Sequence, residues 1–207
     1  MVLFVVDAVI RLLFKLMTRV RATGLDRIPQ DGPLIVVTNH INFLEVPLIY
    51  FLMKPRTIRG LTKRETWNKP ALRILANLWR AIPIRRGAVD RQAFALAMRE
   101  LRSGGCVGIA PEGTRSHHGR LQQSSAGVVL LAARSGVPVL PIAHWGGEEV
   151  FKRLKRGRRA VIRVRVGTIS TVDPEAAGRR ETRERELLRI MGDLARLLPP
   201  SHRGYYA

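Results

Sequence analysis

The chain has 207 residues, 46% of them hydrophobic, which suits one folded domain and excludes a disordered polymer. It carries 36 Lys and Arg against 16 Asp and Glu, and the net charge of +20 predicts an anionic partner: nucleic acid, a membrane surface or a phosphorylated substrate. The single cysteine, Cys106, excludes an intrachain disulfide and fits a reducing compartment.

The first 23 residues predict an amphipathic helix. Asp7, Arg11, Lys15 and Arg19 recur every four positions and so fall near one helical face, while apolar residues cover the rest. These charges interrupt the roughly 20 apolar residues that a spanning helix needs. We therefore expect residues 1–23 to lie in a membrane interface, with the apolar side in the bilayer and the basic side at the headgroups. The alternative is an ordinary amphipathic helix docked on the domain.

Residues 24–207 alternate between apolar runs and segments of helical periodicity. Strands are predicted at 34–40, 57–61, 81–86, 106–113, 137–145 and 160–167, and helices at 43–53, 69–79, 89–105, 125–136 and 181–198. This alternation predicts an α/β fold, with a central mixed sheet that carries helices on its faces. We expect residues 24–207 to form one domain.

Polar residues come directly after three of the predicted strands, in VVTNHINFLE, IPIRRG and GIAPEGTRSHHG. Open α/β sheets build their sites at the carboxyl ends of strands, so the three loops are candidates for one cleft. In the first loop, His40 is a possible base for a hydroxyl proton, and Glu45 a possible partner that fixes the imidazole tautomer. Alone, this pair also fits a helix cap or a satisfied core histidine.

The third of these loops contains Glu112, Gly113, Thr114 and Arg115. Gly113 permits a tight turn, Arg115 can hold a phosphate with two hydrogen bonds, and Glu112 can orient an arginine or accept a hydroxyl. A solvated surface turn is the alternative. The arginines of the second loop are weak signals by themselves.

Together these stretches resemble the glycerolipid acyltransferase family, whose best-known members are lysophosphatidic acid acyltransferases. The family's four ordered blocks, N-H-x-x-x-x-D, P-V-x-R, F-P-E-G-T-R-S and V-P-V-x-P-V, have counterparts at Asn39–Glu45, Pro83–Arg86, Ala110–Ser116 and Val137–Ile142. Three positions depart from the pattern, with Glu in place of Asp, Ala in place of an aromatic residue and Ser in place of a frequent Lys: Glu45, Ala110 and Ser125.

The resemblance implies acyl transfer from a thioester, on coenzyme A or acyl carrier protein, to the free hydroxyl of lysophosphatidic acid, with no metal or other cofactor. His40 and Glu45 would be catalytic. The residues that would bind substrates are Asn39, Arg86, Glu112, Gly113, Thr114 and Arg115, and those that would line the acyl chain are Val137, Pro138 and Pro141. Cys106 is expected in the core, His117 and His118 in a loop, and His144 has only a weak claim to a role. We expect a peripheral or monotopic protein on the cytoplasmic face of the cell membrane, bound to an anionic surface.

Two alternatives remain open at this stage. The first is an acyltransferase for another lysolipid, with a larger headgroup or an amino-acid lipid, because Ser125 supplies no cation. The second is a non-catalytic basic protein that binds nucleic acid through residues 152–159. An aromatic content of only 6% and the lack of a nucleic-acid motif argue against it.

Overall fold

A computed structural model describes residues 2–85 and 90–207, built on one seven-stranded sheet. The strands are β1 (Thr18–Thr23), β2 (Leu34–Thr38), β3 (Ile58–Lys63), β4 (Ile82–Ile84), β5 (Cys106–Ile109), β6 (Val139–Trp145) and β7 (Ala160–Val166). Their order across the sheet is β1-β7-β6-β2-β5-β3-β4. Every neighbouring pair is parallel except β6 and β7, which are antiparallel. The predicted mixed sheet is therefore confirmed.

Helices cover both faces of this sheet, as predicted. They are α1 (Val2–Met17), α2 (Glu45–Leu52), α3 (Pro70–Leu78), α4 (Arg91–Arg102), α5 (Gly127–Ser135), α6 (Val150–Leu154) and α7 (Arg180–Leu197). Residues of α4, α5 and α7 form one apolar layer with one face of the sheet, and residues of α1, α2 and α6 form the other. Strand β2 is buried on both sides, which is why its sequence reads as a continuous apolar run.

The N-terminal helix ends at Met17, so the prediction of a helix over residues 1–23 is wrong for the last six positions. Residues 18–23 form β1, which pairs in parallel with β7 at the edge of the sheet. The stretch TRVRAT alternates charged with smaller side chains, a period of two that suits a strand. Arg19 therefore belongs to the sheet, and the boundary between the helix and the domain falls before residue 18.

Helix α1 packs on the domain along one seam and leaves an apolar face exposed. Phe14 is buried in the core, and the Asp7 carboxylate accepts hydrogen bonds from the Tyr50 hydroxyl at 3.3 Å and the Trp79 indole at 3.2 Å. The acidic member of the predicted charged stripe thus faces the protein. The outward residues are 51% to 60% exposed: Val9, Leu12, Leu13, Val5 and Leu16. Among the described residues, none of the helices has the length and hydropathy of a bilayer-spanning segment.

Three parallel strands end at the same edge of the sheet. In the register, Val37 of β2 lies opposite Ile109 of β5, and Thr38 lies opposite Ile142 of β6. The loops that follow β2 and β5 therefore start side by side, as the sequence predicts for a site at the carboxyl ends of strands, and β6 runs on beside them to Trp145. The third predicted loop follows β4, which β3 separates from β5.

Candidate active site

The loop after β2 brings His40 and Glu45 into direct contact. Nδ1 of His40 is hydrogen-bonded to Oε1 of Glu45, and Oε2 of Glu45 accepts the Ile41 backbone N–H at 2.9 Å. Glu45 is 5% exposed and is the first residue of α2, where the helix dipole favours a negative charge. A carboxylate can only accept, so Nδ1 carries the proton and Nε2 presents a lone pair.

The free side of the His40 ring is suited to receive a proton. Nε2 makes no hydrogen bond within residues 2–85 and 90–207, and the side chain keeps 9% of its surface exposed. A neutral imidazole with a carboxylate on its other nitrogen is the arrangement of a general base. The pair that was ambiguous in the sequence therefore has the geometry of a base and its orienting partner.

Backbone hydrogen bonds join this loop to the one after β5. The Ser116 N–H donates to the His40 carbonyl at 2.8 Å, and the His117 N–H donates to the Ile41 carbonyl at 3.1 Å. These bonds bring the Gly113–Arg115 turn to the same edge of the sheet as His40. Gly113 has φ of 66°, so the glycine predicted for a tight turn does occupy the left-handed region.

Glu112 has two partners within the protein. Its Oε1 accepts the His40 N–H at 2.7 Å, and its Oε2 accepts the Gln122 N–H at 2.9 Å. Burial raises the pKa of the Glu112 carboxyl, while these backbone hydrogen bonds act in the opposite direction. Both oxygens are engaged by backbone, so the carboxylate ties the two loops together; it does not face outward as the predicted acceptor contact requires.

Asn39, predicted to bind substrate, has both ends of its side-chain amide bonded within the protein. It is 2% exposed; its Nδ2 donates to the His144 carbonyl at 2.8 Å and its Oδ1 accepts the His144 N–H at 2.9 Å. The side-chain amide thereby continues the pairing of β2 with β6 beyond the last paired residue. The sequence marks Asn39 as polar but does not show that a neighbouring strand supplies both partners.

Other predicted substrate-binding residues lie on the surface beside this site. Gly113, Thr114 and Arg115 are exposed, and the Thr114 carbonyl accepts the Gln122 side-chain amide at 3.2 Å. Arg86 lies outside the described residues; β4 ends two positions before it, at Ile84. Ser125 bonds Pro111 through both its backbone N–H and its hydroxyl, so it fixes the loop after β5.

Two of the three residues predicted to line the acyl chain lie away from this edge of the sheet. Val137 and Pro138 come before β6, about 20 Å along the strand from His144, and Val137 is packed in the core. Pro141 is buried inside the sheet opposite Val37, the next-to-last residue of β2, and so lies near this edge. The V-P-V part of the motif lies at the start of β6, whereas His40 lies where the parallel strands end.

An exposed apolar surface that was not predicted from the sequence lies beside His40. Phe43 and Val46 flank Glu45 and are 49% and 44% exposed, and Phe151 of α6 is 47% exposed, with its ring 5.9 Å from that of Phe43. The spacing of Phe43 and Val46, three apart at the start of a helix, is the signal that could have identified them. The basic residues 152–159 follow Phe151 directly.

The cysteine and three further histidines named from the sequence are Cys106, His117, His118 and His144, and the first three lie as expected. Cys106 is buried in β5, and burial raises the pKa of its thiol, so it has the environment of a core residue. His117 and His118 are in an exposed loop. His144 is fully buried beside Glu45, which gives it a stronger claim to a role than the sequence suggested.

Comparison with known proteins agrees with this geometry. The family model described as Acyltransferase matches residues 19–145, more than half of the chain. The chain is 31% identical over 131 residues to the chloroplastic 1-acyl-sn-glycerol-3-phosphate acyltransferase BAT2 of Brassica napus, and 30% identical over 138 residues to the 1-acyl-sn-glycerol-3-phosphate acyltransferase of Pseudomonas aeruginosa. These matches cover 62% and 63% of this chain, but only 38% and 51% of the two relatives.

A solved structure extends the similarity to most of the fold. The crystal structure of the 1-acyl-sn-glycerophosphate acyltransferase PlsC from Thermotoga maritima superposes with a TM-score of 0.69 at 26% identity. The match covers 91% of this chain and 76% of that one. With a family model across more than half its length and the same fold beyond it, the chain belongs to the acyltransferase family.

Proposed function

We propose that the protein transfers a fatty acyl group from a thioester, on coenzyme A or acyl carrier protein, to the free hydroxyl of lysophosphatidic acid, with phosphatidic acid as the product. The observation that carries the proposal is the His40 imidazole, with Nδ1 held by the buried Glu45 and Nε2 without a hydrogen bond to any residue that the structure describes. The names of the relatives supply the acceptor.

In this reaction His40 acts as a general base. Nε2 takes the proton of the acceptor hydroxyl as its oxygen attacks the thioester carbonyl carbon, and Glu45 stabilises the imidazolium that forms. The tetrahedral intermediate then collapses, the carbon–sulfur bond breaks, and the thiolate leaves with the proton from His40. The thiol of Cys106 is buried in β5 and is not placed to attack the thioester, so we propose direct transfer to the acceptor.

The exposed turn after β5 is suited to hold the acceptor. Arg115 can bind the phosphate with two hydrogen bonds, and the Thr114 hydroxyl is available beside it. The Ser116–His40 backbone bond keeps this turn next to the base. We assign Glu112 to holding the His40 loop, and we keep Arg86 as a phosphate ligand from the family pattern.

The same edge of the molecule is suited to an anionic membrane. Arg159 donates to the Thr18 carbonyl at 2.8 Å and to the Lys15 carbonyl, which attaches the basic residues 152–159 to the end of α1. The exposed apolar face of α1, the Phe43 and Phe151 rings and these basic residues thus offer both apolar burial and attraction to lipid phosphates. We place the protein peripherally on the cytoplasmic face of the cell membrane.

An acyl-transfer assay tests the reaction. Purified protein is given acyl-CoA or acyl carrier protein thioesters with lysophosphatidic acid, lysophospholipids of larger headgroup and an amino-acid lipid. We expect phosphatidic acid as the main product, abolition of turnover by His40→Gln, and little change in His118→Gln, whose histidine lies in the exposed loop. Turnover by His40→Gln at the wild-type rate would contradict the mechanism, and product from another acceptor alone would contradict the acceptor assignment.

Vesicle flotation tests the membrane surface. We expect binding to anionic vesicles, weaker binding to neutral ones, and loss of binding in the double variant Leu13→Glu, Leu16→Glu. Leu188→Glu is the matched control, because Leu188 of α7 is 60% exposed, like Leu16. Equal flotation of the double variant and the control would contradict a role for α1.

A further inference from the structure

We propose that His144, buried in β6, is a positioning residue for the base: its ring holds the peptide group that carries His40 and faces the Glu45 carboxylate. This inference rests on the proposed function, because it assigns His144 to the reaction of His40. No family block contains His144, and its position at the end of a predicted strand is only weak evidence for a role.

The carbonyl of Asn39 and the N–H of His40 are the two ends of one peptide group. Nε2 of His144 lies 3.0 Å from the Asn39 carbonyl oxygen, and Oε1 of Glu112 accepts the His40 N–H at 2.7 Å. A carbonyl oxygen can only accept, so His144 holds its proton on Nε2 and donates it. Side chains from two different loops or strands therefore fix the plane of this peptide, from which the His40 side chain departs.

The ring of His144 also stands beside the carboxylate that orients the base. Its Nε2 is 3.7 Å from Oε2 of Glu45, the oxygen that accepts the Ile41 N–H. At this distance the ring fills the space beside the carboxylate without hydrogen-bonding it. His144 thus bonds the peptide group that carries His40 and packs beside the carboxylate of Glu45.

His144 must remain neutral for this arrangement to work. Burial lowers its pKa, against the carboxylates of Glu45 and Glu148, which raise it, while a charged His40 lowers it further. A protonated His144 would be a second cation beside Glu45 and would compete with the imidazolium that His40 forms during turnover. The neutral ring donates one hydrogen bond without that competition.

The imidazole of His144 can be replaced without removing the hydrogen bonds that join β6 to β2. The backbone N–H and carbonyl of His144 are both bonded by the Asn39 side chain, so β6 stays attached to β2 without the imidazole. A purely structural role would therefore predict normal turnover once the ring is replaced by an apolar side chain of similar size. A positioning role predicts folded protein with a slower chemical step.

Two substitutions distinguish these roles. Leucine removes the donor, whereas the amide nitrogen of glutamine reaches about as far as Nε2. We expect His144→Leu to lower kcat about 10-fold to 100-fold, the usual effect of losing one buried hydrogen bond, with KM for both substrates within about twofold. We expect His144→Gln to regain most of the lost kcat. Equal kcat in wild type and His144→Leu, or equal losses in both variants, would overturn the inference, with thermal unfolding showing that each variant is folded.

A spectroscopic test is independent of turnover. In protein labelled with ¹⁵N-histidine, we expect one ring, identified by its loss in His144→Gln, to be protonated on Nε2 and to stay neutral at about pH 6.5, where an ordinary histidine titrates. We also expect the His40 ring signals to shift in His144→Leu but not in His118→Gln. A His144 ring protonated on Nδ1, or unchanged His40 signals, would overturn the inference. If the wild-type protein shows no acyl transfer, the proposed function is rejected. The histidine signals then still test whether His144 positions His40.

Discussion

Replacement of Glu45 by glutamine removes one charge and keeps the size of the side chain. The Ile41 N–H donates to Oε2 at 2.9 Å, so the introduced amide oxygen stays at that position and the introduced NH₂ faces Nδ1 of His40. A donor opposite Nδ1 forces the imidazole proton onto Nε2. The ring would then present N–H to the acceptor hydroxyl, where the reaction needs a lone pair.

The expected loss follows from the charge and from the tautomer. Two unit charges about 4 Å apart, at an effective dielectric constant of about 20, attract by about 4 kcal/mol. Since about 1.4 kcal/mol corresponds to a tenfold change in rate, loss of this attraction slows the step about 10³-fold. A carboxylate-to-amide change that gives the wrong tautomer in a serine protease triad costs about 10⁴. We therefore expect Glu45→Gln to lower kcat by about 10³ to 10⁴.

The assay is the initial rate at saturating acyl-CoA and lysophosphatidic acid, with circular dichroism as the folding check. Glu186→Gln is the matched control, because Glu186 is also buried, at 8% exposure, but pairs with Arg189 on α7. It should lower the melting temperature and leave kcat near the wild-type value. A Glu45→Gln enzyme with more than about a tenth of the wild-type kcat would refute the assignment of Glu45 as the partner of the base.

Three further changes test the packing. Val137→Ala should cost about 2 kcal/mol of unfolding free energy yet leave acyl-chain preference unchanged; altered preference would restore Val137 to the acyl wall. Gly146→Ala should abolish soluble expression, since φ is 87° and the added Cβ would lie 2.2 Å from the Val161 carbonyl oxygen; normal yield would contradict this backbone. The pKa of His144 is lowered from 6.5, so the unfolded chain binds the proton first and the free energy of unfolding falls as pH drops below about 6.5. His144→Gln should make this fall with pH shallower by up to about 1.4 kcal/mol per pH unit. Thermal melts at several pH values test this, and the same pH dependence in the variant and wild type would contradict it.

The sequence predicts the architecture because its main signals are local. Apolar runs of strand length alternate with helical periods, and polar residues follow the strand ends directly. The contact of His40 with Glu45 could be predicted for the same reason, since only five positions and one strand-to-helix turn separate the two residues. The separation of these residues along the chain is short enough for residue types alone to suggest a pair.

The features that could not be predicted from the sequence depend on contacts between residues far apart along the chain. Arg19 is the last of four charges at helical spacing, which extended the predicted helix into residues 18–23; these residues pair with β7, about 140 positions away, and form a strand. Asn39 and Glu112 were expected to bind substrate because they are polar residues in the family blocks. Their real partners are backbone groups of His144, His40 and Gln122 that tertiary structure brings to them.

The distribution of buried polar side chains supports the location of the site independently of the motifs. Within residues 5–85 and 90–207, ten polar or charged side chains are buried, and seven lie at the carboxyl edge of the three parallel strands: Thr38, Asn39, His40, Glu45, Glu112, Ser116 and His144. Burying such groups is unfavourable unless each finds a partner, and an apolar core would be simpler to build. A fold concentrates this cost in one place when the groups are needed for chemistry. The hydrogen bonds of Asn39, Glu112 and His144 serve to hold one imidazole and one carboxylate in place, which is the requirement of general base catalysis.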